Sequence, residues 1–201
     1  MPHDFHLRPV AAADQTFCEH LIRDAFWDLY RPGCHEHYLW HLAAQGHPDV
    51  VDEFTMVAVM GQDVVGCIMS TRARLVTAAG KLEVLAPGPV AVAPRYQGHG
   101  IGTALMNATL DAARATGFPA AFLYGDPHYY PRFGFHDAKH LDATTTEGDN
   151  FPEFMGLELI DDALAGGKLV ESSLFDVDPV EVDAFDAGFP ARLKRQRSSL
   201  T

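Results

Sequence analysis

An apolar strand that breaks into closely spaced glycines and restarts as an amphipathic helix fits few folds. Residues 90–103 are such a stretch: Val-Ala-Val-Ala-Pro-Arg-Tyr-Gln-Gly-His-Gly-Ile-Gly-Thr. Residues 90–92 read as the strand, and Gly98, Gly100 and Gly102 lie in the loop. Ile101, Ala104, Leu105, Ala108, Leu110 and Ala112 then follow as the apolar positions of a helix. A turn stripped of side chains lets several backbone N–H groups close on one anion at the positive end of a helix. The stretch reads as a phosphate cradle; the plain alternative is a glycine-rich strand–helix turn that binds nothing.

Two other phosphate loops fail on spacing. A Walker loop needs Gly-Lys-Ser/Thr, and the chain has no such tripeptide. A dinucleotide fingerprint needs Gly-x-Gly-x-x-Gly early in a βαβ unit. Counting from Gly98 puts Thr103 at the third glycine position, and counting from Gly100 puts Leu105 there. The loop also lies mid-chain, with too little sequence after it for a dinucleotide fold and a substrate domain.

Gln97-x-x-Gly100-x-Gly102 fits the pyrophosphate-binding signature Gln/Arg-x-x-Gly-x-Gly/Ala. In this the chain resembles the GNAT superfamily of N-acetyltransferases, which use acetyl-CoA. A second element stands after it in the family's order and spacing. Residues 125–135 read Gly-Asp-Pro-His-Tyr-Tyr-Pro-Arg-Phe-Gly-Phe. The segment from Tyr130 to Phe135 resembles the Tyr-x-x-x-Gly-Phe element that follows the fifth strand of GNAT enzymes. The longer string looks like a bacterial branch of predicted N-acetyltransferases without an assigned substrate. The resemblance covers residues 5–138 and reaches the tail more loosely.

The coarse reading of the chain agrees with that plan. Residues 5–10 alternate as a first strand, followed by helices at about 12–27 and 35–44. Residues 54–60 and 64–76 are β-rich and joined at Gly61-Gln62-Asp63; a turn at Ala79-Gly80-Lys81 leads into a third run over 82–92. Pro87 and Pro89 cannot donate ladder hydrogen bonds, so that strand is expected to be irregular or bulged near the cofactor. Residues 118–124 read as a buried strand, followed by a short helix around 128–132 and a strand over 133–138. The expected fold is α/β: a central twisted mixed sheet flanked by helices, with a splay between the fourth and fifth strands. One N-acetyltransferase domain is expected over 1–201, with its core at 5–138 and the extension 139–201 packed on or beside it. Within the extension, residues 153–160 suggest a last strand, 176–186 a packed segment and 192–197 a basic, solvated terminus.

Acetyl transfer to an amine needs a bound thioester, a neutral nucleophile and a proton for the departing thiolate. By resemblance, Val90, Ala91 and Val92 hold the pantetheine arm through free backbone groups, one N–H polarising the acetyl carbonyl. Gln97, Gly98, His99, Gly100, Ile101, Gly102 and Thr103 form the pyrophosphate loop. Arg95 and the His99 ring either add charge toward CoA phosphates or are exposed turn residues. Tyr130 takes the role of general acid, a phenol near its ordinary pKa of ~10, or else only packs against the pantetheine. Tyr129 is expected to face elsewhere, and Arg132 to serve structure or phosphate.

The general base is open. Glu83 lies where many GNAT enzymes carry a carboxylate acting through water, Asp126 and His128 lie near the exit of the fifth strand, and a water chain needs no dedicated base. Asp126-Pro127 also replaces an Asn-containing pattern common in other branches. Trp27, Tyr30, Tyr38 and Trp40 read as core, with acceptor contact the alternative for the loop residues Tyr30 and Arg31. His37 and His41 share the i, i+4 spacing of a zinc pair without the Glu that a hydrolase needs, so no metal is expected. The expected activity is transfer from acetyl-CoA to a primary amine of a small molecule or peptide by direct attack. The alternative is a non-catalytic acyl-CoA-binding sensor.

Charge and cysteine content bound the partners. A net charge of −12 over 201 residues argues against nucleic acid or an anionic membrane. It suits cationic acceptors, although acidity for solubility alone is the commoner cause. Cys18, Cys34 and Cys67 form neither a disulfide framework nor a zinc knuckle. No apolar run approaches the ~18 residues of a membrane span, and the N-terminus lacks a signal pattern. A reducing cytoplasm is the expected setting; a homodimer is left open.

Overall fold

The structure, a computed structural model, describes residues 4–195. Its spine is β3 (Asp63–Thr77), buried without interruption from Val65 to Thr71 because both faces of the sheet are covered there. On one side β3 pairs antiparallel with β2 (Met56–Met60), which in turn pairs with β1 (His6–Pro9). On the other it pairs antiparallel with β4 (Gly80–Val92). The polypeptide then crosses over through α3 (Ile101–Thr116) and returns as β5 (Ala120–Tyr124), parallel to β4. This is the expected mixed sheet, with β4 and β5 parallel in a largely antiparallel set.

Side-chain alternation along the strands decides what covers each face. Ala58, Ile68, Ala121 and Leu123 point to the face where α3 buries Ile101, Leu105, Met106 and Leu110. Their neighbours Val57, Cys67 and Met69 point to the opposite face. There they meet Cys18 and Ile22 of α1 (Gln15–Phe26) and Trp40 of α2 (Glu36–Ala44). A Cβ on Gly66 would come within 2.8 Å of the Ile101 side chain, so this glycine lets α3 settle onto β3.

The extension does more than pack beside the core. β8 (Phe154–Glu158) pairs along the whole of β5 and separates it from β6 (His136–Asp137), which shrinks the strand expected over 133–138 to two residues. β9 (Gly167–Val170) pairs with the far end of β3 and is joined in parallel by β7 (Ala143–Thr144). The helix expected around 128–132 is a 3-10 turn over Tyr130–Phe133, closed by Gly134 in the left-handed region.

The chain finishes with α4 (Pro179–Asp186), Asp178 capping it by accepting from the Val180 N–H. Asp186 anchors it to α1 and α2: Arg23 Nε donates to Asp186 Oδ1 at 2.6 Å, and His37 Nε2 stands 3.2 Å from the same oxygen. The basic terminus is tied down as well. Arg192 pairs with Asp24, Lys194 with Asp183, and Trp27 Nε1 donates to the Leu193 carbonyl. Arg197 lies outside the described residues.

Arg23 is 5% exposed, so removing its partner leaves a buried charge uncompensated. Asp186→Ala is therefore expected to cost about 3–5 kcal/mol in urea unfolding. Burial pushes the His37 imidazole down to about 4, against the attraction of Asp186. The unfolded chain, with an ordinary histidine near ~6.5, then binds a proton that the folded chain refuses. Stability present at neutral pH is expected to fall as the pH drops from about 6.5 toward 4. For Asp186, burial favours the neutral form, but the Arg23 contacts outweigh it and hold the carboxyl below its usual range, adding a loss at still lower pH. Melting temperatures of wild type and His37→Leu over that interval check the first loss, which the variant should lack.

Candidate active site

β4 and β5 touch in register only at Leu85↔Ala121 and then part. The cause is visible on the other edge of β4. Ile68 pairs with Val90 and Ser70 with Pro87, so three steps along β4 match two along β3. This is the bulge expected around Pro87 and Pro89, and a bulge bends its strand. Beyond it, residues 90–92 keep their pairing with β3 and, among the described residues, pair with no strand on the β5 side. The fork opens into a cleft of about 1320 Å³, above the ~300–1,000 Å³ usual for small-ligand pockets.

At one end of the cleft stands the glycine loop. Gly100 caps α3 with φ of +83°, a conformation that side-chain-bearing residues rarely adopt, and no side chain caps the helix. The first N–H groups of α3, at Ile101, Gly102 and Thr103, therefore remain for an anion at the positive helix end. Gln97 lends its side chain to the strand, Nε2 donating to the Val92 carbonyl at 3.1 Å. The His99 ring turns back on its own loop, Nδ1 at 2.9 Å from the Gln97 carbonyl and 3.1 Å from that of Tyr96. That ring braces the loop. Arg95 is exposed beside Tyr96, 3.9 Å from Asp63, and is absent from the cleft wall.

Tyr130 lines the cleft, its ring lying against Gly125, where any Cβ would collide with it. Burial pushes its phenol well above the ordinary value expected from sequence, with Tyr30, Tyr129 and Asp126 adding to the shift. Tyr129 corrects the expectation that it faces elsewhere. It lines the same cleft, its ring edge-on to Tyr130 at 5.2 Å, and its hydroxyl stands 3.4 Å from where a Gly102 Cβ would sit. Arg132 holds Tyr129 in place, donating to its carbonyl at 2.9 Å and lying over its ring at 4.3 Å.

Glu83 does not reach the site. It is 52% exposed, 3.3 Å from Arg72, and outside the cleft wall. It precedes Leu85, where β4 still touches β5, so the fork has not yet opened at its position. Asp126 lines the cleft, one carboxylate oxygen accepting from the His128 N–H in a tight turn; His128 itself is exposed and off the wall. Tyr30 and Arg31 line the cleft. Trp27, Tyr38 and Trp40 instead serve packing: Trp40 donates to Gln15, while Trp27 and Tyr38 contact the C-terminal segment. Among the described residues no group of histidine, cysteine or acidic side chains is placed to hold a metal ion. Among them also, no helix is long and apolar enough to cross a membrane.

Two further residues shape the cleft, Gly125 and Glu171. Gly125 carried a signal, an invitation to close approach directly after a strand. Glu171 carried none, since only the return of β9 to β3 brings it to the wall.

The comparisons with known proteins come down on one side. A family model described as an acetyltransferase (GNAT) domain matches residues 6–138. The uncharacterised N-acetyltransferase YhbS of Escherichia coli K12 is 35% identical over 85 residues, which is 42% of this chain and 51% of that protein. YjhQ, an uncharacterised N-acetyltransferase of the same strain, is 40% identical over 76 residues, 35% of this chain and 39% of that protein. The chain thus spans about half or less of the length of these curated relatives. The crystal structure of E. coli YhbS in complex with CoA aligns with a TM-score of 0.74 at 25% identity, covering 86% of this chain and 92% of that one. A GNAT family acetyltransferase from Brucella melitensis in complex with acetyl-CoA shares the fold. Its TM-score is 0.69 at 24% identity, covering 87% of this chain and 99% of that one.

Proposed function

Since the chain belongs to the GNAT acetyltransferases, we propose that it transfers the acetyl group of acetyl-CoA to a primary amine of a small molecule or peptide, by direct attack in a ternary complex. The observation that carries this reading is the fork, where β4 and β5 part after one pair between the glycine loop and Tyr130. The amides of the loop, from Gly98 to Thr103, receive the pyrophosphate of acetyl-CoA. The backbone of Val90, Ala91 and Val92 lies along the pantetheine arm, with one N–H polarising the acetyl carbonyl. Tyr130 gives its hydroxyl hydrogen to the sulfur as the C–S bond breaks. The amine reaches the carbonyl through the fork from the face opposite α3.

Thiol release from acetyl-CoA tests the reading across a panel of primary amines and peptide N-termini. Amine-dependent release, with the acetyl-amide product seen by mass spectrometry, is the expected result. Tight acetyl-CoA binding without turnover on any member would overturn catalysis and leave an acyl-CoA sensor.

A further inference from the structure

Four carboxylates line the cleft: Glu36, Asp126, Glu153 and Glu171. Two are occupied, Glu36 with the Cys34 thiol and His35 N–H, and Asp126 with the His128 N–H. Glu153 is exposed to solvent. Glu171 alone is both half-buried and without a hydrogen bond or ion pair among the described residues. A carboxylate withdrawn from water with nothing to neutralise it is costly unless a cation arrives.

Its surroundings locate it relative to the chemistry. Glu171 directly follows β9 and bears electrostatically on Tyr124, the last residue of β5. Tyr124 stacks on Phe154 at 5.2 Å and Phe151 at 5.7 Å, which fixes its ring at the fork's mouth. Its neighbour Gly125 faces Tyr130. Because alternate residues point to opposite faces, Tyr124 and Glu171 stand across the sheet from Tyr130 and the glycine loop. An acceptor approaching the carbonyl from the far side of the fork passes them.

We propose that Glu171 is the base for the acceptor: its carboxylate binds the incoming ammonium beside the Tyr124 ring and takes one proton from it. This rests on the acetyltransferase reading. R–NH₃⁺ and the carboxylate become R–NH₂ and the carboxylic acid, which passes its proton to solvent. The free amine forms the C–N bond, the C–S bond breaks, and the second proton of the attacking nitrogen balances the one Tyr130 delivers to sulfur. Burial raises the Glu171 carboxyl above its usual range, with Asp176 adding to it, which brings its basicity nearer to the task. Among the described residues, the ionisable groups that interact electrostatically with it are Tyr124 of β5 and Asp176 of the following turn, and Glu147 bears on Tyr124 in turn.

Three probes, phenethylamine, putrescine and glycinamide, test this with the full chain between pH 5 and 9. For Glu171→Gln, kcat/KM is expected to fall about 30-fold, the acid limb of its pH profile to move up to the pKa of the free amine used, and the acetyl-CoA Kd to stay within twofold. Glu171→Asp should regain part of the rate and return the acid limb toward its wild-type position, which a merely structural residue would not do. Rates within threefold of wild type and an unchanged acid limb in Glu171→Gln would overturn the assignment. If wild type turns over none of the three, the acetyltransferase reading fails separately. Calorimetric titration of the same amines into CoA-saturated protein then decides the ammonium site: a tenfold weaker Kd in Glu171→Gln supports it, and equal affinities overturn it.

Discussion

Gly100→Val is expected to abolish acetyl-CoA binding, raising its Kd at least 100-fold in calorimetry while the protein still melts cooperatively. A Cβ at this position meets nothing within 4 Å, so crowding inside the protein is not the cause. The backbone is: φ of +83° is open to glycine and strained for a β-branched residue. Relief of that strain rotates the peptide planes at the start of α3, and their N–H groups no longer converge. A 100-fold loss corresponds to about 2.7 kcal/mol, within reach of one or two charge-assisted hydrogen bonds at roughly 1.5–3 kcal/mol each. Gly102→Ala is the control, because its Cβ would make ordinary contacts of 3.4 Å with the Tyr129 hydroxyl and 3.5 Å with Val92. An affinity for Gly100→Val within threefold of wild type would remove the loop from cofactor binding.

Tyr130→Phe is expected to lower kcat roughly 100-fold with little change in the acetyl-CoA Kd. The raised pKa of this phenol has two consequences. Tyr130 stays protonated across the working range, so the defect should be constant from pH 6 to 9. As an acid it is also weaker than a thiol of ordinary pKa ~8.5, which makes complete transfer to the thiolate uphill on its own. In the proposed reaction, delivery to sulfur is therefore coupled to proton loss from the attacking nitrogen, which restores the phenol. A charge-assisted bond of about 1.5–3 kcal/mol matches the expected rate loss. Phenylalanine keeps the ring against Gly125, so a fall of less than about threefold at saturating substrates would show that Tyr130 only packs.

What the sequence determined by itself is local. The glycine spacing from Gly98 to Gly102, the amphipathic α3 and the prolines of β4 each act within a few residues. Their backbone consequences, a left-handed cap, open helix amides and a bulge, follow from φ preferences and missing donors wherever the segment sits. Strand alternation was legible for the same reason, and so was the mixed sheet once the motifs suggested the family. Tertiary structure decided what depends on residues distant in sequence. Glu83 has the right residue type on the right strand, yet its distance from the fork is set by where β4 parts from β5. Tyr129 and Tyr130 adjoin in sequence, and a 3-10 turn in place of an α-helix brings both onto the same wall. The last strand expected over 153–160 is β8, but its place beside β5 was a tertiary decision, because that edge of the sheet was otherwise open. Glu171 reaches the cleft only because β9 returns to β3, across a chain separation that no local pattern encodes.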